Sequence, residues 1–156
     1  MKNLFAQIYE ILIDLYGRAL SYELAGICAD QGIEKPELSL YVSIGLMSVG
    51  LSILMALIFY FVINHPYLNR WYHWLGMGVL NGLMAFGIGY YPIYTRLLDG
   101  VFCEEYLDPN STTYITEANI FGFGIVNFCF SLVIFILTSF MVRWWSTNAA
   151  TTPIPS

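Results

Sequence analysis

Three long stretches of the chain are apolar almost without interruption, and short polar segments separate them. The first, Leu38 to Ile63 (LSLYVSIGLMSVGLSILMALIFYFVI), contains no charged residue. At 1.5 Å per residue its roughly 26 residues exceed a hydrocarbon core of about 30 Å and leave room for tilt. It follows Lys35-Pro36-Glu37, and proline is a common first residue of a helix. The second, Trp74 to Tyr94 (WLGMGVLNGLMAFGIGYYPIY), is also uncharged, and Pro92 is expected to end or kink it. The third runs from about Ala118 to Val142, with Thr116 and Glu117 placed as N-cap and first-turn anion. Lipid leaves only helices or closed barrels to satisfy backbone groups, and runs this long are helical. The pattern predicts an all-α integral membrane protein with three transmembrane helices, at 38–63, 74–94 and 118–142, in one polytopic domain.

Residues 1–34 have a different pattern. Leu4, Ile8, Ile11, Leu12, Leu15 and Leu20 approximate one helical face, while Glu10, Asp14 and Arg18 follow at i, i+4 and i+8. Asp14 and Arg18 can pair along one helix. Three charges suit an amphipathic helix in the membrane interface better than a fourth, polar span inside an assembly. The same acidic residues interrupt what would be the apolar core of a signal peptide, so the segment is expected in the mature chain. The loop from Asp99 to Thr116 is acidic and turn-rich, and residues 146–156 read as a disordered polar tail.

The hairpin Asn64 to Trp74 (NHPYLNRWYHW) joins the first two spans and holds both histidines, His65 and His73. Their spacing matches no common zinc pattern, and no Cys, Asp or Glu lies between them, so they read as interfacial residues. Arg70, Trp71 and Trp74 form a headgroup-level anchor, which Arg143, Trp144 and Trp145 repeat after the third span, on the same face.

Composition agrees with the pattern: 58% of residues are hydrophobic, only 11% are charged, and the net charge is −5. A soluble domain carries roughly 25% charge, so the excess apolar surface must meet lipid. Six Lys plus Arg leave no basic patch for nucleic acid. Positive charge is balanced, Arg70 and Arg143 on one face against Lys35 and Arg96 on the other. The two Arg-Trp anchors and the short acidic segments favour an N-terminus outside and a C-terminus in the cytoplasm.

Inside the spans, Gly78, Gly82, Ala85 and Gly89 are spaced 4, 3 and 4, which draws a small-residue stripe along one helix face. Another helix backbone can approach such a stripe closely, and Gly76 and Gly87 widen it. Asn81 and Asn127 are the most polar groups within the spans, so both are expected to face other helices. Asn127 falls level with Ser48, the best partner within the chain; Asn81 lies nearer the hairpin, so the two amides are not expected to meet. Ser43, Ser52, Ser131 and Thr138 can each bond to their own helix backbone.

No Asp, Glu, Lys, Arg or His lies within the three spans, where proton relays and ion-coupled transporters place such groups. No catalytic constellation or metal cluster is visible, and no cofactor is expected. Cys28 and Cys103 share a face under three-span topology. They can form a disulfide where that face is oxidising, and otherwise stay as thiols. Cys129 reads as a small buried hydrophobe. Two functions fit: a non-catalytic structural or accessory subunit of a secretion, respiratory or photosynthetic type of complex, or a small homo-oligomeric pore. The second is similar in span number to some phage holins. The expected partners are lipid and other membrane subunits, or copies of the chain itself.

Overall fold

The computed structural model describes residues 4–26, 40–63, 71–102, 104–108 and 114–143. They are all-helical. Three short helices, α1 (Leu4–Glu10), α2 (Ile13–Tyr16) and α3 (Arg18–Leu24), precede α4 (Leu40–Leu57), which continues as one π-helical segment, Ile58–Ile63. α5 (Trp71–Leu98), a short α6 (Glu104–Leu107) and α7 (Glu117–Arg143) follow. The stretch from Leu40 to Val62 and α7 are each long and apolar enough to cross a membrane. α5, at 28 residues, is longer than either, but its glycines, tyrosines and Asn81 lower its hydropathy.

Pro92 does not end α5, which runs on to Leu98, and the Thr95 hydroxyl donates to the Pro92 carbonyl at 3.1 Å. The N-terminal segment is not one helix. It breaks at Ile11–Leu12 and again at Gly17, whose φ of 83° suits glycine and few other residues. The continuous helix that an Asp14–Arg18 pair needs is therefore absent. The pattern of burial also departs from expectation. Tyr9, Tyr16, Leu20 and Leu24 are buried, while Leu4, Ile8, Ile11, Leu12 and Leu15 face outward. Only Leu20 of the expected apolar face packs inside.

The chain divides into two compact units. One comprises Met1–Met47 with Phe86–Val126, the other Ser48–Ala85 with Asn127–Ser156. In the first unit the core is aromatic. Tyr9 stacks on Tyr41 with ring centroids 5.6 Å apart, and Phe123 meets Tyr9, Tyr16 and Tyr41 at 5.2, 5.3 and 6.0 Å. The Tyr16 and Tyr41 hydroxyls share a 3.0 Å hydrogen bond, and burial pushes the Tyr16 phenol above its ordinary pKa. The acidic loop is anchored by buried Phe102, Tyr106 and Ile115, with the Ile115 amide donating to the Tyr106 carbonyl at 3.0 Å.

In the second unit, Phe59, Tyr60 and Val142 form one buried cluster and Met55, Ala56 and Phe135 another, with Trp74 and Met77 packed against both. Trp74, expected as an interfacial ring, packs within this unit. It lies 5.8 Å from the Phe135 ring and donates from Nε1 to the Ser139 hydroxyl at 3.1 Å.

Candidate functional site: a polar seam between helices

The seam lies in the second unit and joins α4, α5 and α7. Ser48, Ser52, Asn81, Asn127 and Ser131 are all fully buried. Ser48 Oγ donates to Asn127 Oδ1 at 3.1 Å, while Asn127 Nδ2 donates to the Ala85 carbonyl, so one amide bonds to both other helices. Asn81 Nδ2 donates to Ser52 Oγ at 3.1 Å and to the carbonyl and hydroxyl of Ser131, each at 3.2 Å. Ser52 Oγ faces the Ser48 carbonyl at 2.8 Å and the Ser131 carbonyl at 3.2 Å. Asn81 and Asn127 thus draw on different partners.

The seam is satisfied except at one atom, Asn81 Oδ1, which is buried without a hydrogen-bond partner. The Ser131 carbonyl explains the amide's orientation, because rotating it would set one acceptor against another. An orphaned buried acceptor costs about 1–3 kcal/mol.

This asymmetry predicts unequal substitutions. Asn127→Leu strands the Ser48 hydroxyl and should cost on the order of 1 kcal/mol, since interhelical bonds in membranes are modest. Asn81→Leu removes an amide whose oxygen is already unpaired, so it should cost less. Thermal unfolding of the two variants in the same detergent checks the order, and a larger loss for Asn81→Leu would contradict it.

Of the small-residue stripe, Gly78, Gly82 and Ala85 belong to the same unit as the seam and Gly89 to the other. Gly78, Gly82, Ala85 and Gly89 are buried. A Cβ on Gly78 would lie 3.3 Å from the Phe135 ring, and one on Gly82 only 2.6 Å from that of Phe128. Within this unit the stripe is where α7 side chains reach the α5 backbone. Gly76 and Gly87 differ: both are exposed, with nothing within 4 Å of an added Cβ.

Ser52 and Ser131 enter the seam although each can bond to its own helix backbone, as the Ser131 contact to the Phe128 carbonyl at 3.3 Å shows. Only their level along the helices, counted from the span ends, could have signalled a second role. Asn119, in the first unit, gives no such signal in the sequence. Its Oδ1 accepts from the Thr116 amide at 2.9 Å and from the Thr116 hydroxyl, the return half of a capping box. Its Nδ2 donates to the Tyr16 carbonyl at 3.0 Å, tying α7 to the end of α2.

Trp71 is exposed at the start of α5, and Arg143 is half-buried at the end of α7. His73 is half-buried with its ring 4.3 Å from that of Tyr72. Among the described residues no group of three His, Cys, Asp or Glu could hold a metal ion. Cys129 is a free thiol on the exposed side of α7 and not a core residue, because its position faces away from the seam. Cys28, Cys103, His65, Arg70, Trp144 and Trp145 lie outside the described residues. The chain matches no known protein-family model, no curated protein and no solved structure.

Proposed function

We propose that this chain is a non-catalytic subunit of a larger membrane assembly, crossing the bilayer three times through α4, α5 and α7. One observation carries the reading: the distribution of polarity is the reverse of a soluble protein's. The amides and serines of the seam are turned inward and bonded to one another. By contrast, the exposed residues of α4, of α5 up to Leu98 and of α7 from Phe121 are aliphatic, aromatic, methionine, glycine or Cys129. A surface of that kind needs lipid or another membrane protein around it.

α5 belongs to the membrane despite its lower hydropathy. Trp71, Tyr72 and Trp74 mark one end of it and Tyr90, Tyr91 and Tyr94 the other. At 1.5 Å per residue, Trp74 and Tyr94 are separated by about 30 Å, the thickness of a hydrocarbon core. Aromatic collars with that spacing fit the two headgroup levels. Three crossings place the termini on opposite faces, with the N-terminus outside and the C-terminus in the cytoplasm.

Assembly with other subunits is supported by the open glycines. Gly76 and Gly87 are exposed positions of α5 about three helical turns apart, where a partner helix can approach the backbone. Polar residues occupied within the chain leave little to line an aqueous pore, which favours a subunit over a homo-oligomeric pore. Purification in mild detergent tests this. A stoichiometric set of foreign subunits supports the proposal, and a homogeneous ring of this chain alone overturns it in favour of the pore. Replacing both Gly76 and Gly87 with Leu should release the partners while leaving the thermal stability of the isolated chain unchanged. Retention of every partner by that variant would show that the glycines do not form the contact.

A further inference from the structure

The N-terminal segment is clamped to the first turns of two long helices in its unit, and its outer side is mainly apolar, with Gln7, Asp14 and Arg18 the exposed polar residues. Phe5 packs on Gly45 of α4 so closely that a Cβ there would meet its ring. The Leu15 carbonyl lies directly over Gly122 of α7, where any Cβ would collide with backbone. Asn119 holds the Tyr16 carbonyl, and Tyr9 and Tyr16 fill the space between Tyr41 and Phe123. These contacts fix the level of the segment. Gly45 is five residues beyond Leu40 and Phe123 six beyond Glu117, which at 1.5 Å per residue is about 8 and 9 Å along each helix.

An interfacial amphipathic helix buries its apolar face about 5–10 Å into the boundary between headgroups and acyl chains. With the first residues of α4 and α7 at headgroup level, as three crossings require, the clamp sets α1 and α2 at that depth. Leu4, Ile8, Ile11, Leu12 and Leu15 point away from the clamp, with Ile11 78% exposed. In the same unit Leu46, Met47, Phe121 and Ile125 of α4 and α7 are also exposed. Asp14 and Arg18 are both exposed, and a long side chain such as arginine can lay its stem along apolar surface while its charge reaches the headgroups.

We propose that α1 and α2 are immersed in the acyl boundary of one leaflet, with Leu4, Ile8, Ile11, Leu12 and Leu15 in contact with lipid chains. The segment is held there by the backbone clamp on Gly122 and not by reversible surface adsorption. The inference rests on the three-crossing reading, and its test separates the two.

Single cysteines replace Ile11, Leu15 or Val133, the last in mid-α7, in the full-length chain with Cys28, Cys103 and Cys129 changed to Ser. Each carries a polarity-sensitive fluorophore in phosphatidylcholine vesicles containing lipids brominated near the headgroup end or near the chain terminus. The expected result is blue-shifted emission at all three sites. Shallow bromines should quench residues 11 and 15 more strongly, and deep bromines residue 133. Loss of quenching at 11 and 15 with retention at 133 overturns the inference and leaves the spans standing. Loss at 133 as well overturns both. Energy transfer between copies at 11 and 15, lost when unlabelled protein is added and without bromine quenching, would assign the stripe to a second copy and overturn the lipid assignment.

Discussion

Replacing Gly122 with alanine should loosen the N-terminal segment from α7 and lower thermal stability by about 1–3 kcal/mol, the range for overpacking a well-filled site. The added Cβ would collide with the Leu15 carbonyl, and the next atoms it meets are the Leu15 carbonyl carbon, at 2.9 Å, and the Tyr16 Cα, at 3.3 Å. Backbone cannot rotate aside as a side chain does, so α2 as a whole must shift. That shift pulls the Tyr16 carbonyl from Asn119 and disturbs the Tyr16–Tyr41 bond, two contacts that hold the same segment. Limited proteolysis should then cut within residues 4–26 faster than in the parent chain, while α7 stays protected. Gly124→Ala is the control. There a Cβ meets the Phe86 ring at 2.7 Å, and a ring can turn. Equal proteolysis of the parent and Gly122→Ala would mean that the close approach is not what seats the segment.

Gly82→Leu should be the most damaging change in the other unit. The Phe128 ring already lies 2.6 Å from where a Cβ would stand, and leucine adds three further carbons along the same direction. α5 and α7 must move apart, which stretches the bonds from Asn81 to Ser131 and from Asn127 to the Ala85 carbonyl. Overpacking of about 1–3 kcal/mol combines with interhelical bonds of roughly 0.6 kcal/mol each. The purified chain should lose thermal stability and yield, and Gly78→Ala should lose much less, since its Cβ would sit 3.3 Å from Phe135. Unchanged melting and yield for Gly82→Leu would show that the stripe is not a packing face.

α4 and α7 follow their apolar runs closely because a long run without charge or breaker favours an unbroken helix, while α5 overruns its own run at both ends. α7, Glu117–Arg143, lies within one residue of the stretch read from hydropathy at each end. The pairing of Ser48 with Asn127 is legible for a related reason, since two mid-span polar groups at one level have few other partners. What the sequence hides depends on contacts between helices. Whether Ser52 and Ser131 satisfy only their own backbones or also receive Asn81 is set by helix rotation, which no local spacing encodes. The N-terminal segment misleads because leucines at helical spacing suggest an inward face. The clamp that turns its tyrosines inward and its leucines outward depends on Gly17, Asn119 and Gly122, each unremarkable in isolation.

Three crossings require α5 to traverse the membrane along with α4 and α7, and the sidedness of the termini measures that directly. Single cysteines at Lys2 and Ser156, in the chain with Cys28, Cys103 and Cys129 changed to Ser, can be labelled with a membrane-impermeant maleimide in intact cells or right-side-out vesicles, before and after permeabilisation. Labelling of residue 2 in the intact preparation, and of residue 156 only after permeabilisation, is the result predicted. Both residues reacting from the same side would mean an even number of crossings, and would contradict the account.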